Sequence, residues 1–209
     1  MEIELKYHVN DEETANLVFD SEDIKSITDE GSDESIVMRA VYFDTEDRRL
    51  SRELMTFRVR REGQKIIGTI KWNGKSESGM HVREEINIPI SDESKLETPD
   101  IEVFSETPIF DELRRVVGTR VLTKVIETDV IRRQARIDTG KSICELSYDR
   151  GKIFAGGKEG IISEMEIELY SGDREDMENL GLLLSEKFGL TPETRSKFRQ
   201  GLELMEKNH

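Results

Sequence analysis

Met1-Glu2-Ile3-Glu4-Leu5-Lys6 opens the chain, and Glu164-Met165-Glu166-Ile167-Glu168-Leu169 stands near its other end. In both stretches charged or polar positions alternate with apolar ones. Because side chains two apart on a β-strand lie on the same face, each stretch predicts a strand with one charged and one apolar face. Which of those faces points inward decides the fold.

Strand-like segments of the same kind recur along the chain. Strands are predicted near residues 2–9, 36–44, 55–62, 65–72, 81–90, 120–137, 142–149 and 161–170, with a turn at Asn73-Gly74 after the fourth. Runs of strands with few helices between them favour an antiparallel sheet, and closure into a barrel removes exposed strand edges. We therefore predict an α+β fold built on an eight-stranded antiparallel β-barrel, which forms a tunnel.

Amphipathic segments between the strands indicate helices. They cover residues 11–30, a stretch from Pro108 to Gly118, a stretch from Asp173 to Gly189, and a last segment that begins around Arg195. If the apolar faces of the strands formed the barrel core and the charges faced water, these helices would have no apolar surface to cover. A charged barrel interior with the helices packed on the outside satisfies both sets of elements.

Composition excludes several classes of protein and site. The 209 residues carry 31 Lys plus Arg against 45 Asp plus Glu, and the net charge of −14 argues against a general nucleic-acid or anionic-membrane binder. One cysteine and three scattered histidines exclude a cysteine zinc site and a histidine cluster. No apolar run approaches the roughly 20 residues that span a bilayer. We expect one cytoplasmic domain over residues 1–209, as a monomer or a homodimer.

The predicted interior combines both signs of charge. The acidic residues are Glu2, Glu4, Glu166 and Glu168, and the basic residues are Lys6, Arg58, Arg60, Lys71, Arg132 and Lys197. Clustered carboxylates repel one another without a cation, and their hard oxygens suit Mg²⁺ or Mn²⁺. Guanidinium forks and ammonium groups suit phosphate oxygens. The pattern therefore predicts a tunnel that holds a polyanion together with a divalent metal.

A series of motifs along the chain carries a family resemblance. They are Glu2-Ile3-Glu4-Leu5-Lys6, Tyr42-Phe43-Asp44-Thr45, Phe57-Arg58-Val59-Arg60, Thr69-Ile70-Lys71, Arg83-Glu84-Glu85, Arg132, Leu146 to Gly151, Ser163 to Gly172, and Ser196-Lys197-Phe198-Arg199-Gln200-Gly201. In this order they resemble the CYTH superfamily, the triphosphate tunnel metalloenzymes. Asn87 departs from the pattern, since many relatives have a charged residue there. The extra helical domain that some relatives append is expected to be absent.

The resemblance implies roles for the tunnel residues. It implies metal ligation by Glu2, Glu4, Glu166 and Glu168, with Asp149 and Glu85 as further candidates. It implies phosphate binding by Lys6, Arg58, Arg60, Lys71, Arg132 and Lys197, and a catalytic set of Glu4, Lys6, Arg58, Arg60 and Glu85. Glu164 and Arg133 are expected to lie behind the site or to face solvent. Arg132 and Arg133 cannot both line the tunnel without a bulge, because neighbouring strand residues point to opposite faces.

Three functions are compatible with such a tunnel. The first is hydrolysis of inorganic tripolyphosphate to pyrophosphate and phosphate, by in-line attack of water with two divalent metals and no protein nucleophile. The second uses the same site on an organic substrate, as a thiamine triphosphatase or a class IV adenylate cyclase. The third is a noncatalytic polyphosphate-binding module, which would not need paired carboxylates on two strands. We favour the first.

Overall fold

Eight antiparallel strands form a closed barrel in the computed structural model, which describes residues 1–206. The strands are β1 (Glu2–His8), β2 (Glu34–Thr45), β3 (Thr56–Glu62), β4 (Lys65–Glu77), β5 (Met80–Pro89), β6 (Leu122–Asp138), β7 (Ser142–Ala155) and β8 (Lys158–Gly172). Neighbours follow the order β5-β4-β3-β2-β6-β7-β8-β1, and pairing of β1 with β5 closes the ring. The predicted barrel is confirmed. The predicted domain boundary at residue 209 lies outside the described residues.

Six helices and a two-residue strand complete the structure of residues 1–206. They are α1 (Glu12–Asp20), α2 (Glu22–Lys25), α3 (Arg49–Arg52), α4 (Phe110–Val117), α5 (Arg174–Phe188), α6 (Lys197–Glu206) and β9 (Thr191–Pro192), which pairs with β1. Short 3-10 turns cover Glu93–Leu96 and Ile101–Phe104. Among the helices of this region, none is both long and apolar enough to cross a membrane.

The prediction of one continuous helix over residues 11–30 is wrong, because the chain breaks at Ser21. Ser21 has an extended backbone, and its hydroxyl donates to the carbonyl of Val18 at 2.7 Å. A serine hydroxyl that bonds to nearby backbone competes with helical hydrogen bonding. The result is two short helices, α1 and α2, in place of one.

The predicted turn at Asn73-Gly74 is also wrong. Asn73 adopts a left-handed backbone with φ of 52°, and the pairing of β4 with β5 shifts between Trp72 and Lys75. Asparagine tolerates this conformation, and an irregularity of this kind bends a strand without ending it. β4 therefore continues to Glu77, and the hairpin turns at Ser78 and Gly79.

Two apolar clusters lie on the outside of the barrel. One packs α1 and α5 against outward residues of β1, β6, β7 and β8, such as Leu5, Leu146 and Ile167. The other packs α4 and the 3-10 turns against outward residues such as Phe43 and Phe57. Helices thus cover the apolar faces of the strands, as the amphipathic patterns predict.

The last helix occupies a different place from the others. α6 packs against inward-pointing residues at one end of the barrel, where Phe198 lies 5.7 Å from the ring of Tyr42. A Cβ atom at Gly201 would meet Ile126 at 2.4 Å, so only glycine permits this close approach. α6 therefore contributes its first residue, Lys197, to the interior of the barrel.

Candidate functional site

One charged cavity of about 390 Å³ lies inside the barrel. Its wall includes every residue predicted for the site, namely Glu2, Glu4, Lys6, Arg58, Arg60, Lys71, Glu85, Arg132, Asp149, Glu166, Glu168 and Lys197. These side chains come together because alternate positions of each strand face inward. The structure thus places in one chamber residues that lie almost 200 positions apart in the sequence.

Carboxylates of β1 and β8 form an acidic wall of this chamber. Glu4 and Glu168 are direct partners across the two strands, and Glu2 lies two residues before Glu4. Arg83 donates to Glu2 at 2.5 Å and to Glu4 at 2.6 Å. Within residues 1–206 no cation lies at ion-pair distance from Glu168. Burial and then the charges of Glu2 and Glu4 raise the pKa of Glu168 to about 8.

Lys71 links this wall to β5. Its ammonium lies 2.7 Å from Glu2 and 2.6 Å from Glu85. Burial alone would raise the pKa of Glu85, but Lys71 and Arg58 outweigh it and lower that pKa to about 2. Asn87 donates to Glu85 at 2.5 Å. Glu85 is therefore a fixed negative charge in this structure.

A second region of the chamber pairs cations with carboxylates. Arg132 holds Asp149 with two hydrogen bonds of 2.7 and 2.8 Å and donates to Glu166 at 2.8 Å. Lys6 and Lys197 approach the other oxygen of Glu166 at 2.8 and 2.9 Å. Burial disfavours both ammonium charges, but the surrounding carboxylates raise the pKa of each lysine. These three cations stay charged because the carboxylates compensate them.

Arg58 and Arg60 on β3 have fewer ion-pair partners than the other cations of the chamber. Arg58 donates to Thr69 at 3.3 Å and hydrogen-bonds with Tyr42, and Arg60 pairs with Glu62. Among the described residues, neither buried Nε group has a hydrogen-bond partner. Burial, followed by the charge of Arg58, lowers the pKa of Arg60 to about 10. Buried guanidinium donors without acceptors suit an anionic ligand.

A divalent metal fits the acidic wall by the chemistry of its donors. Glu2, Glu4 and Glu168 present carboxylate oxygens from adjacent strands, and the charges of Glu2 and Glu4 act on Glu168 more strongly than that of Lys71. In residues 1–206 no three Asp, Glu, His or Cys side chains are already arranged as a metal site. Arg83 and Lys71 occupy part of the donor set, so a bound ion would take their place on Glu2 and Glu4.

Glu164 and Arg133, which were not predicted to line the tunnel, have different positions. Glu164 shares the inward face of β8 with Glu166 but is buried under α6, and its carboxylate lies 2.8 Å from the ammonium of Lys197. Arg133 points outward, where it pairs with Asp33 at 2.7 Å and lies over the ring of Phe19. The alternation of neighbouring residues accounts for the opposite directions of Arg132 and Arg133.

Several other wall residues were not among the predicted site residues. They are Arg83, Glu62, Glu145, Tyr42, Thr69 and Tyr170. Except for Tyr42, each shares the parity of a predicted site residue on its strand, so strict use of the alternation would have found them. Tyr42 is the partner of Arg58 across β2 and β3, and Tyr170 donates to Glu145 at 2.6 Å.

A family profile described as the CYTH domain matches residues 1–202. The chain belongs to the CYTH domain family. An inorganic triphosphatase from Haemophilus influenzae is 32% identical over 149 residues, which cover 69% of this chain and 39% of that protein. The match therefore spans well under half the length of that curated CYTH relative.

Solved structures share the CYTH fold at low sequence identity. A Hippeastrum protein, proposed as an adenylyl cyclase and described with a dominant triphosphatase activity, has a TM-score of 0.72 at 18% identity, covering 97% of this chain and 96% of its own. A candidate adenylate cyclase from Bacillus halodurans has a TM-score of 0.61 at 21% identity, covering 96% of each chain. These likenesses show the fold alone.

Proposed function

We propose that this CYTH protein hydrolyses a triphosphate with the help of a divalent metal, and that its substrate is inorganic tripolyphosphate. The observation that carries the proposal is the pair Arg58 and Arg60, whose buried Nε donors lack partners within residues 1–206. They stand in the same chamber as the carboxylates of Glu2, Glu4 and Glu168. Donors for phosphate oxygens thus adjoin donors for a hard cation.

The chain's own residues bind the substrate and stabilise developing charge. Arg58 and Arg60 would donate to phosphate oxygens, and Lys71 would add a point charge from the next strand. A bound Mg²⁺ or Mn²⁺ on Glu2, Glu4 and Glu168 would supply charge neutralisation and activation of water. Preplaced cations that meet the charge of the leaving pyrophosphate are the main source of catalysis in such transfers.

Asp149 and Glu166 have a different place in the proposal. Both lie among Arg132, Lys6 and Lys197, so they compensate cations that would turn to phosphate. Metal ligation by this pair stays a prediction. It would require the pair to exchange a cationic partner for the metal when substrate enters.

The aromatic residues of the cavity wall favour an inorganic substrate. Tyr42 and Phe198 pack on one another, and the hydroxyl of Tyr170 is bonded to Glu145. In the described cavity wall, these rings are therefore engaged within the protein and are not arranged as an open platform for a base or a thiazole ring. Charged groups dominate the remaining wall.

The test measures phosphate and cyclic AMP release from tripolyphosphate, ATP and thiamine triphosphate, each with Mg²⁺, Mn²⁺ or EDTA. We expect EDTA-sensitive phosphate release that is fastest with tripolyphosphate. Cyclic AMP from ATP would contradict hydrolysis and indicate a cyclase. Faster release from thiamine triphosphate would contradict the inorganic substrate, and tight binding without turnover would indicate a binding module.

A further inference from the structure

Glu164 lies on the inward face of β8, is covered by the start of α6, and contacts two cations of the cavity wall. Its side chain is 3% exposed, and it is absent from the residues that line the chamber. One carboxylate oxygen lies 2.8 Å from the ammonium of Lys197 and 3.6 Å from that of Lys6. The other oxygen accepts a hydrogen bond from the side-chain amide of Gln200. Glu164 therefore joins β1, β8 and α6.

The other carboxylates around these lysines differ from Glu164 in one respect. Asp149 and Glu166, which approach Lys197 at 2.7 and 2.9 Å, both face the chamber. They are the groups that would respond to an entering metal or phosphate. Glu164 is shielded from the chamber, so its contacts with Lys6 and Lys197 remain when the chamber fills. A buried carboxylate with such partners acts as a fixed counter-ion.

The attachment of α6 depends on the same carboxylate. Lys197 is the first residue of α6, and Gln200 is one turn later on the same side of the helix. Both reach Glu164, one with a charge and one with an amide hydrogen bond. The start of α6 is thus pinned at two points to one acidic residue of β8. A displacement of this helix would move the Lys197 ammonium away from the chamber.

We propose that Glu164 is a positioning residue, which holds the ammonium groups of Lys6 and Lys197 toward the chamber as binding groups for phosphate. The inference rests on the proposed function and names a residue that acts through others. Loss of Glu164 should weaken the binding of the substrate and of the transition state equally, since the two lysines would contact phosphate throughout the reaction. Uniform loss of binding raises KM and leaves kcat nearly unchanged.

The test compares Glu164→Gln with Asp44→Asn. Glu164→Gln keeps the shape and an acceptor for Gln200 but removes the charge. Asp44 is a matched control, since it is fully buried and accepts hydrogen bonds from Leu50 and Ser51 away from the chamber. Both variants should lower the melting temperature. Only Glu164→Gln should raise KM for tripolyphosphate, by about tenfold, which corresponds to about 1.4 kcal/mol.

A second readout separates this inference from the proposed function. Calorimetric binding of tripolyphosphate in EDTA needs no turnover, and Glu164→Gln should weaken it by a similar factor. Absence of turnover in the wild-type protein would overturn the proposed function but leave this comparison intact. Unchanged binding and an unchanged KM in Glu164→Gln, or a loss confined to kcat, would overturn the positioning role.

A smaller change keeps the test usable if Glu164→Gln does not fold. Glu164→Asp retains the charge but withdraws the carboxylate by one methylene from Lys197 and Gln200. We expect an intermediate rise in KM, about threefold, with little change in kcat. A KM equal to that of the wild-type protein in this variant would overturn the proposal.

Discussion

Glu4 and Glu168 face each other as direct partners across β1 and β8, and within residues 1–206 only Glu4 has cations at ion-pair distance. Burial, followed by the charges of Glu2 and Glu4, raises the pKa of Glu168 to about 8. This group of carboxylates carries a local electrostatic cost that a divalent cation would remove.

The effect of Glu168→Gln on the melting temperature should change sign when a divalent metal is added. In EDTA at pH 9, above the raised pKa of Glu168, the variant should melt about 2 °C above the wild-type protein, since it removes a like-charge contact. With Mn²⁺ the wild-type protein should gain more stability than the variant, because binding to the folded state stabilises it. Thermal unfolding measures both. Glu159→Gln, on the exposed part of the same strand, is the control and should change neither value. An equal rise in melting temperature on addition of Mn²⁺ in Glu168→Gln and in the wild-type protein would contradict the metal site.

Arg60→Ala and Arg61→Ala should differ sharply although the two residues are adjacent. Arg60 faces the chamber, whereas Arg61 points outward and pairs with Glu93 at 3.0 Å. We expect Arg60→Ala to weaken tripolyphosphate binding by about tenfold or more, because a charged hydrogen bond is worth about 1.5–3 kcal/mol. Arg61→Ala should bind like the wild-type protein. Calorimetry in EDTA measures the affinity of both variants for tripolyphosphate. Equal affinities would contradict phosphate binding by Arg60.

Glu4→Gln and Arg58→Ala should affect different kinetic constants. Glu4→Gln removes a metal-binding carboxylate and should chiefly lower metal-dependent kcat, by about 100-fold. Arg58→Ala removes a donor to phosphate and should also raise KM for tripolyphosphate. Steady-state kinetics over a range of Mg²⁺ concentrations separates the two effects. Small and equal changes in both variants would count against these roles.

Glu193→Gln should destabilise the protein in a pH-dependent way. Burial raises the pKa of Glu193, but hydrogen bonds from Arg195 outweigh it and hold the pKa below its usual value. A lowered folded-state pKa stabilises the protein above the unfolded pKa of about 4.3, and that stability is lost as the pH falls through the folded value. Urea unfolding should show a deficit of about 1 kcal/mol at pH 7 that shrinks toward pH 3. Glu178→Gln, exposed beside Arg174, should show no such deficit, and a constant deficit for Glu193→Gln would contradict the linkage.

The alternation of charged and apolar residues predicted both the barrel and the residues of its interior. A strand residue's facing depends only on its parity, so the inward direction of Glu2, Arg58 and Glu168 follows from the sequence alone. The same rule would have placed Arg83 and Tyr170 in the wall. The roles of these residues as metal ligands, phosphate ligands or catalytic groups remain predictions, since the direction of a side chain does not show what it binds.

Other features depend on contacts that the sequence does not display. Helical periodicity could not reveal the break at Ser21, which follows from a hydroxyl bond to one carbonyl. The place of α6 depends on the close approach of Gly201 to Ile126, two residues far apart in the sequence. The burial of Glu164 follows from that placement, because Lys197 and Gln200 of α6 cover it.

The closure of the barrel through β1 also constrains the order of folding. Of the eight barrel strands β1 is synthesised first, yet its partners are β5 and β8, which include residues 80–83 and 164–168. Pairings this distant form slowly, because a long loop must close before any contact is gained. Until β8 has emerged from the ribosome, β1 has one unpaired edge and its outward Leu5 lacks the surface of β7, β8 and α5. Aggregation of nascent or truncated chains should therefore involve β1, and stopping synthesis before residue 158 should expose it.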